Sequence, residues 1–225
     1  IKRNDFDINM CYIIGILNKL RRYNMKITVV DLSEKLIKAF SKQLDEVFPH
    51  LKDKVELKLG SFDSIRSYDA IVSPGNSFGF MNGGVDNALR EFFGTQLEQR
   101  VMDKIKEDFL GEHNVGSAFV IETKDSDYPW LVHAPTMRVP SVIAGTDAVY
   151  SATWAALVAV TRHNKTESQK IEHLVFPGMG TGAGKMNFDK AAGQMLLAFE
   201  RMFNPSFSKK WKDAYDRNNV LKENV

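Results

Sequence analysis

The stretch Asp69-Ala70-Ile71-Val72-Ser73-Pro74-Gly75-Asn76-Ser77, followed by Gly83-Gly84-Val85-Asp86-Asn87-Ala88-Leu89, decides how this chain is read. Residues 69–73 are short and apolar enough to be a buried strand, and Pro74-Gly75 breaks it. Beyond the loop, Val85 to Phe93 carries helical spacing. In an open α/β sheet a loop of this kind, past the carboxyl end of a strand and ahead of a helix, is where ligands bind. A second stretch has the same construction. Ile171-Glu172-His173-Leu174-Val175-Phe176 reads as a strand, Pro177-Gly178-Met179-Gly180-Thr181-Gly182-Ala183-Gly184 as a loop, and Phe188 to Phe203 as a helix stopped by Pro205.

Outward from these two units, strands and helices alternate. Ile27-Thr28-Val29-Val30 is a β-branched run, and Ser33 is placed to cap a helix from Glu34 to Phe48. In that helix Leu36, Ile37, Phe40, Leu44, Val47 and Phe48 should face the core. Val55 to Leu59 alternates with period two. A second helix, Thr95 to Phe109, follows the Gly94 break. Strands are expected at 118–121 and 130–134, joined by the polar turn 124–127, and a long helix at 146–163. A last amphipathic helix is expected within 206–218. The pattern predicts an α/β fold, with helices on both faces of a mixed, largely parallel sheet of about six strands.

Glycines in both loops let the backbone approach a ligand closely, and successive N–H groups beside a helix N-terminus form an anion nest. Both loops therefore point to a phosphorylated ligand. Lys185 is not followed by serine or threonine and the glycine spacing is wrong for a nucleotide P-loop; the G-x-G-x-x-G pattern of dinucleotide folds is also missing.

Taken together, the D-A-I-V strand with its terminal Asn76, the Gly83-Gly84-Val85-Asp86-Asn87-Ala88-Leu89 run and the Phe176-Pro177 to Thr181-Gly182 loop resemble the macro domain family. Leu131-Val132-His133-Ala134 matches an intervening family strand, and the resemblance spans about residues 25–203. It implies a three-layer α/β/α domain over 25–204, with an extension at 1–24 and a C-terminal helix and tail at 205–225. It also implies a ligand, ADP-ribose or an ADP-ribosylated protein. The amides of Gly83, Gly84 and Val85 and those of Gly180, Thr181, Gly182, Ala183 and Gly184 would close on the diphosphate, with Gly75 and Gly178 at the loop entrances. Asn76 matches the asparagine that bonds the distal ribose. Asp86 matches the aspartate that activates water in hydrolytic members; as a bare residue it would equally stabilise a helix N-terminus. Asn76 as a bare residue would be a turn former.

The chain departs from the family pattern in three places. Ser73-Pro74-Gly75-Asn76 stands where N-A-A-N is common. Gly60-Ser61-Phe62-Asp63 stands where G-D-I-T is usual, which makes Ser61, Phe62 and Asp63 the candidate adenine readers. Near Ala183-Gly184 the usual aromatic wall is missing, a role Phe78 or Phe80 could take. Hydrolysis at the distal ribose and non-catalytic reading of ADP-ribosylated partners both remain open.

A net charge of +2 provides no global field for nucleic acid or membrane, and no cofactor or metal is expected. Lys209, Lys210 and Lys212 around Trp211 read as a solvated helix face. The single Cys11 fits a reducing compartment, cytoplasm or nucleus, and a monomer is expected. Residues 1–24 read as an extension whose spacing would put Ile13, Ile14, Ile16, Leu17 and Leu20 on one face of a helix; the apolar run is too short to span a membrane. His133 is expected to be a satisfied core residue, the three tryptophans to be packing residues, and Arg138 is a phosphate candidate that nothing local decides.

Overall fold

The computed structural model describes residues 25–206 and 209–225; the extension at 1–24, with Cys11, lies outside the described residues. The apolar runs become β1 (Lys26–Asp31), β2 (Val55–Leu59), β3 (Ala70–Ser73), β4 (Phe119–Glu122), β5 (Trp130–His133) and β6 (His173–Pro177). They form one sheet in the order β2-β1-β6-β3-β5-β4, parallel throughout except for the edge strand β4.

Period two sends alternate residues of each strand to opposite faces. Ile27 and Val29, Ala70 and Val72, and Leu174 and Phe176 enter one hydrophobic cluster, while Val30, Ile71 and Val175 enter a second. Helices α1 (Glu34–Glu46), α4 (Ala148–Thr166) and α5 (Phe188–Phe203) cover the first cluster with Leu36, Phe40, Val160 and Phe199. Helices α2 (Gly84–Phe93) and α3 (Thr95–Asp108) cover the second with Leu89, Leu97, Val101 and Ile105. The result is the expected three-layer α/β/α arrangement.

Local chemistry sets the helix ends. Ser33 Oγ accepts from Leu36 N at 3.4 Å to start α1, and Asn187 Oδ1 accepts from Asp189 N at 2.8 Å to start α5. Gly94, at φ +86°, divides α2 from α3, a conformation that an L side chain resists.

Two expectations are corrected. Val47 is 56% exposed, because α1 ends at Glu46 and the chain turns there to bury Phe48 instead. The C-terminal helix α6 runs from Trp211 to Glu223 and buries no residue fully, and Trp211 is 80% exposed instead of packed. A helix this polar docks through side-chain-to-carbonyl bonds: Lys190 Nζ donates to Glu223 O and Gln194 Nε2 to Asn224 O.

From β1 the chain crosses through α1 to β2 on one side; from β3 it crosses through α2 and α3 towards β4 on the other. Strand β6 lies between them. The carboxyl ends of β1, β6 and β3 therefore open a crevice where the connections diverge.

Candidate ligand-binding site

That crevice is a cavity of about 650 Å³. Among the expected residues, Ser61, Phe62, Gly75, Asn76, Gly83, Gly84, Val85, Asp86, Gly178, Gly180, Thr181, Gly182, Ala183 and Gly184 all line it. Asp63 does not: it lies in the single 3₁₀ turn Phe62–Ser64 with its side chain exposed, while Phe62 turns inward. Phe80 lines the wall at 49% exposure and Phe78 does not.

The second loop is shaped by its own backbone. Met186 N donates to Gly180 O at 3.0 Å, Lys185 N to Gly182 O at 3.2 Å, and Ile143 N to Gly184 O at 2.9 Å. Gly180 takes φ +76°, and a Cβ there would lie 2.5 Å from Val149 Cγ2. Gly182, by contrast, faces open space, as do Gly83 and Gly84 on the opposite wall. The N–H groups of residues 180–184 have no backbone partner among the described residues. On the other side, Gly84, Val85 and Asp86 are the first residues of α2, whose N–H groups have no intrahelical acceptor. Two sets of unspent donors thus flank one cavity.

The first loop is braced from within and from α3. Asn76 Oδ1 accepts from Phe78 N at 3.1 Å and Phe80 N at 3.3 Å, and Asn76 Nδ2 donates to Phe80 O at 2.7 Å. Its acceptor capacity is spent on the loop, which leaves one N–H of the carboxamide. Glu98 accepts from Met81 N at 2.8 Å and pairs with Arg90 at 2.7 Å.

Asp86 lies in the first turn of α2 and is 8% exposed. Its Oδ1 accepts from Ser73 Oγ at 2.7 Å, and its Oδ2 lies 3.3 Å from where a Cβ on Gly75 would stand. Burial pushes the carboxyl up to about 6, and the Ser73 hydroxyl opposes the shift. The same Cβ would lie 2.7 Å from His133 Cε1, so Gly75 is the only residue that fits between that ring and the Asp86 carboxylate.

His133 corrects an expectation: it is buried but not satisfied. Neither of its ring nitrogens makes a hydrogen bond of good geometry, although the Asn76 backbone lies close enough to oppose the loss of its proton, and the ring nitrogens of His113, whose centroid is 5.3 Å away, have no partner. Burial, with His113 beside it, pushes His133 down to about 3, and burial pushes His113 down to about 4, so both rings are neutral near pH 7. Arg138 does not reach the cavity; it pairs with Glu112, with Nη2 at 2.6 Å from Oε2.

Sequence reasoning missed Asp31, Leu32, Thr136 and Pro140, which also line the cavity. Asp31 was discoverable, since it follows a β-branched run and precedes a capped helix. Among the lining residues, Asp31 and Asp86 are the only charged side chains, and none is basic. An anionic ligand here would be held by neutral donors, backbone N–H groups and the hydroxyl and carboxamide side chains of the lining, with no cation. Among the described residues no cluster of three or more His, Cys, Asp or Glu side chains could hold a metal ion, and no helix is long and apolar enough to cross a membrane.

A sequence model of the family described as Macro domain matches residues 72–195, more than half of the chain. The chain belongs to the macro domain family. A relative, an uncharacterized protein of Aquifex aeolicus (strain VF5), is 34% identical over 137 residues, covering 61% of this macro domain chain and 75% of its own. Solved structures share the fold. The macrodomain of Mycobacterium tuberculosis DarG superposes with a TM-score of 0.52 at 19% identity, covering 64% of this chain and 89% of its own. An Oceanobacillus iheyensis macrodomain with ADP gives 0.52 at 16% identity, covering 70% and 86%. The family match begins at Val72, so β1, α1 and β2, which carry Asp31 and Leu32, precede it.

Proposed function

We propose that this macro domain binds ADP-ribose and hydrolyses a bond at its distal ribose. The substrate would be a mono-ADP-ribosyl group on an acidic side chain, or an ester such as O-acetyl-ADP-ribose or ADP-ribose 1″-phosphate. The observation that carries the reading is Asp86, a buried carboxylate beside the anion-binding amides of α2 whose pKa is raised to about 6. The ADP in the Oceanobacillus iheyensis macrodomain supports the choice of a diphosphate ligand.

The diphosphate lies between the amides of Gly83, Gly84 and Val85 and those of residues 180–184. Asn76 donates its remaining Nδ2 hydrogen to a distal ribose hydroxyl. When the bond at the anomeric carbon breaks, the leaving group departs with the bonding electrons and positive charge builds on the ribose. The ionised Asp86 stabilises that charge and takes a proton from the water whose oxygen bonds to the carbon. Ser73, donating to Oδ1, fixes the carboxylate plane. A base with a pKa near 6 is ionised at neutral pH yet basic enough to accept a proton.

One specific observation favours a second reading, that the domain only reads ADP-ribosylated partners. The acceptor capacity of Asn76 is consumed by its own loop, and Asp86 Oδ1 faces Ser73. Calorimetry with ADP-ribose, alongside turnover of mono-ADP-ribosylated protein and ADP-ribose 1″-phosphate, separates the two. Hydrolysis predicts that Asp86→Ala abolishes turnover while affinity stays within a few-fold, and that Asn76→Ala impairs both. Equal turnover by wild type and Asp86→Ala would remove Asp86 from the chemistry. Saturable binding with no product from any substrate would establish the reader.

A further inference from the structure

Of the two carboxylates in the cavity, Asp31 has no part in the chemistry above. It ends β1, the strand that pairs in parallel with β6, and the register Val30↔Pro177 brings Asp31 level with Gly178. A Cβ built on Gly178 would lie 2.5 Å from Asp31 Oδ2, so the carboxylate rests against the first residue of the anion loop. Oδ1 accepts from Ser33 N at 2.7 Å, which fixes the turn into α1. Oδ2 has no protein donor among the described residues, and Asp31 lines the cavity. Leu32, 78% exposed, and Phe62 line the wall beyond it.

This placement selects a particular part of a ligand. With a diphosphate over the β6 loop, the group one O–CH₂ link away towards β1 is a ribose, and a base lies farther out, over Leu32 and Phe62. In α/β folds that bind dinucleotides, a carboxylate at the tip of the strand beside the one bearing the anion loop accepts from ribose hydroxyls. Asp31 reaches the same position through a different chain order.

We propose that Asp31 accepts hydrogen bonds from the vicinal hydroxyls of the ribose on the nucleoside side of the diphosphate, and that its charge excludes nucleotides phosphorylated there. The proposal rests on the ADP-ribose reading above. An ionised carboxylate only accepts hydrogen bonds, so free hydroxyls suit it and a phosphate does not. No basic side chain lines the cavity to offset the repulsion between a 2′-phosphate and Asp31.

The test is calorimetry of wild type, Asp31→Asn and Asp31→Ala with ADP-ribose and its 2′-phosphorylated analogue, and with ADP, 2′-deoxy-ADP and IDP. Wild type should bind the 2′-phosphorylated compound about 100-fold more weakly than ADP-ribose. Asp31→Asn keeps an oxygen for Ser33 N–H, should melt with wild type, and should narrow that gap to about tenfold or less. Asp31→Ala should lose about tenfold in ADP-ribose affinity and become indifferent to removal of the 2′-hydroxyl. Unchanged discrimination in Asp31→Asn overturns the proposal. So does an Asp31→Ala response that tracks loss of the 6-amino group in IDP, since the carboxylate would then read the base. Wild type binding no ADP-ribose at all would instead overturn the functional reading, and this inference with it. Normal ADP-ribose binding with no Asp31 effect overturns this inference alone.

Discussion

Asp86→Asn should make this protein more stable at alkaline pH and less active, and the gain should vanish in acid. The Asp86 carboxyl is buried and its pKa is raised from the usual carboxylate range to about 6. A group whose pKa is raised on folding keeps its proton in the folded state at pH values where the unfolded chain has lost it. Relative to a neutral side chain it costs nothing below about pH 4, and the cost grows as pH rises to about 6, then stays constant. At about 1.4 kcal/mol per pKa unit, ionised Asp86 destabilises the fold by about 3 kcal/mol at pH 8. Asparagine removes the charge and still accepts from Ser73, but its Nδ2 replaces Oδ2 without a partner, so the expected net gain is about 2 kcal/mol. For a chain of this size that raises the melting temperature by about 4–8 °C. His133 and His113, depressed to about 3 and 4, act oppositely: their neutral burial stabilises above the unfolded pKa near 6.5 and is lost as pH falls. Wild type and Asp86→Asn must therefore be compared with each other at each pH, by thermal or urea denaturation between pH 4 and pH 8. A gain of the same size at pH 4 and pH 8, or none at pH 8, refutes the assignment of a buried, ionised Asp86. Asparagine cannot take a proton, so turnover should fall by about 10²–10⁴. The wild-type rate should rise with pH to a plateau above about 6.

Three further substitutions test the walls of the cavity. Gly182→Leu adds a side chain where nothing lies within 4 Å; stability should stay within about 1 kcal/mol while ADP-ribose affinity drops at least about tenfold by calorimetry. Gly180→Ala should cost about 2–4 kcal/mol in urea denaturation, because the residue holds φ +76° and its Cβ would meet Val149 Cγ2 at 2.5 Å. Glu98→Ala cuts the brace from α3 to Met81 N and Arg90 without touching the cavity; ADP-ribose affinity should fall about 3–10-fold with a stability loss of about 1–2 kcal/mol, and unchanged affinity would show that the loop needs no brace.

The glycine loops were legible because their requirements are local: a strand, a breaker, glycines and a helix start can be read in a window of fifteen or so residues. The polar partners of the site were not. His133 comes against Gly75 and Asp86 only after β3 pairs with β5, a contact across some sixty residues that no periodicity encodes. Of the adenine-reader candidates, Ser61 and Phe62 line the cavity and Asp63 does not. Asp63 follows β2 in the order expected of the family, but β1 lies between β2 and β6 in the sheet. Strand order instead brings Asp31, at the end of β1, beside the anion loop.

Ionisable and unpartnered polar groups are costly in a core, yet four such residues lie behind one loop: Asp86, His113, His133 and Ser77, with its unbonded Oγ. Elsewhere the described core is mixed: Gln194 has its bonds filled, with Oε1 accepting from Tyr150 N and Nε2 donating to two carbonyls, whereas Tyr68 Oη, Arg100 Nε and Trp130 Nε1 have no partner. A fold selected only for stability would have replaced the two histidines with Phe or Leu, since they lie among Phe109 and Phe119 and make no hydrogen bond. The neutral His133 ring against Gly75 keeps the Asp86 carboxylate in a low-dielectric pocket without offering it a cation. Burial raises its pKa towards neutrality at a cost in stability, and the hydrolysis proposed above would draw on the basicity that this burial confers.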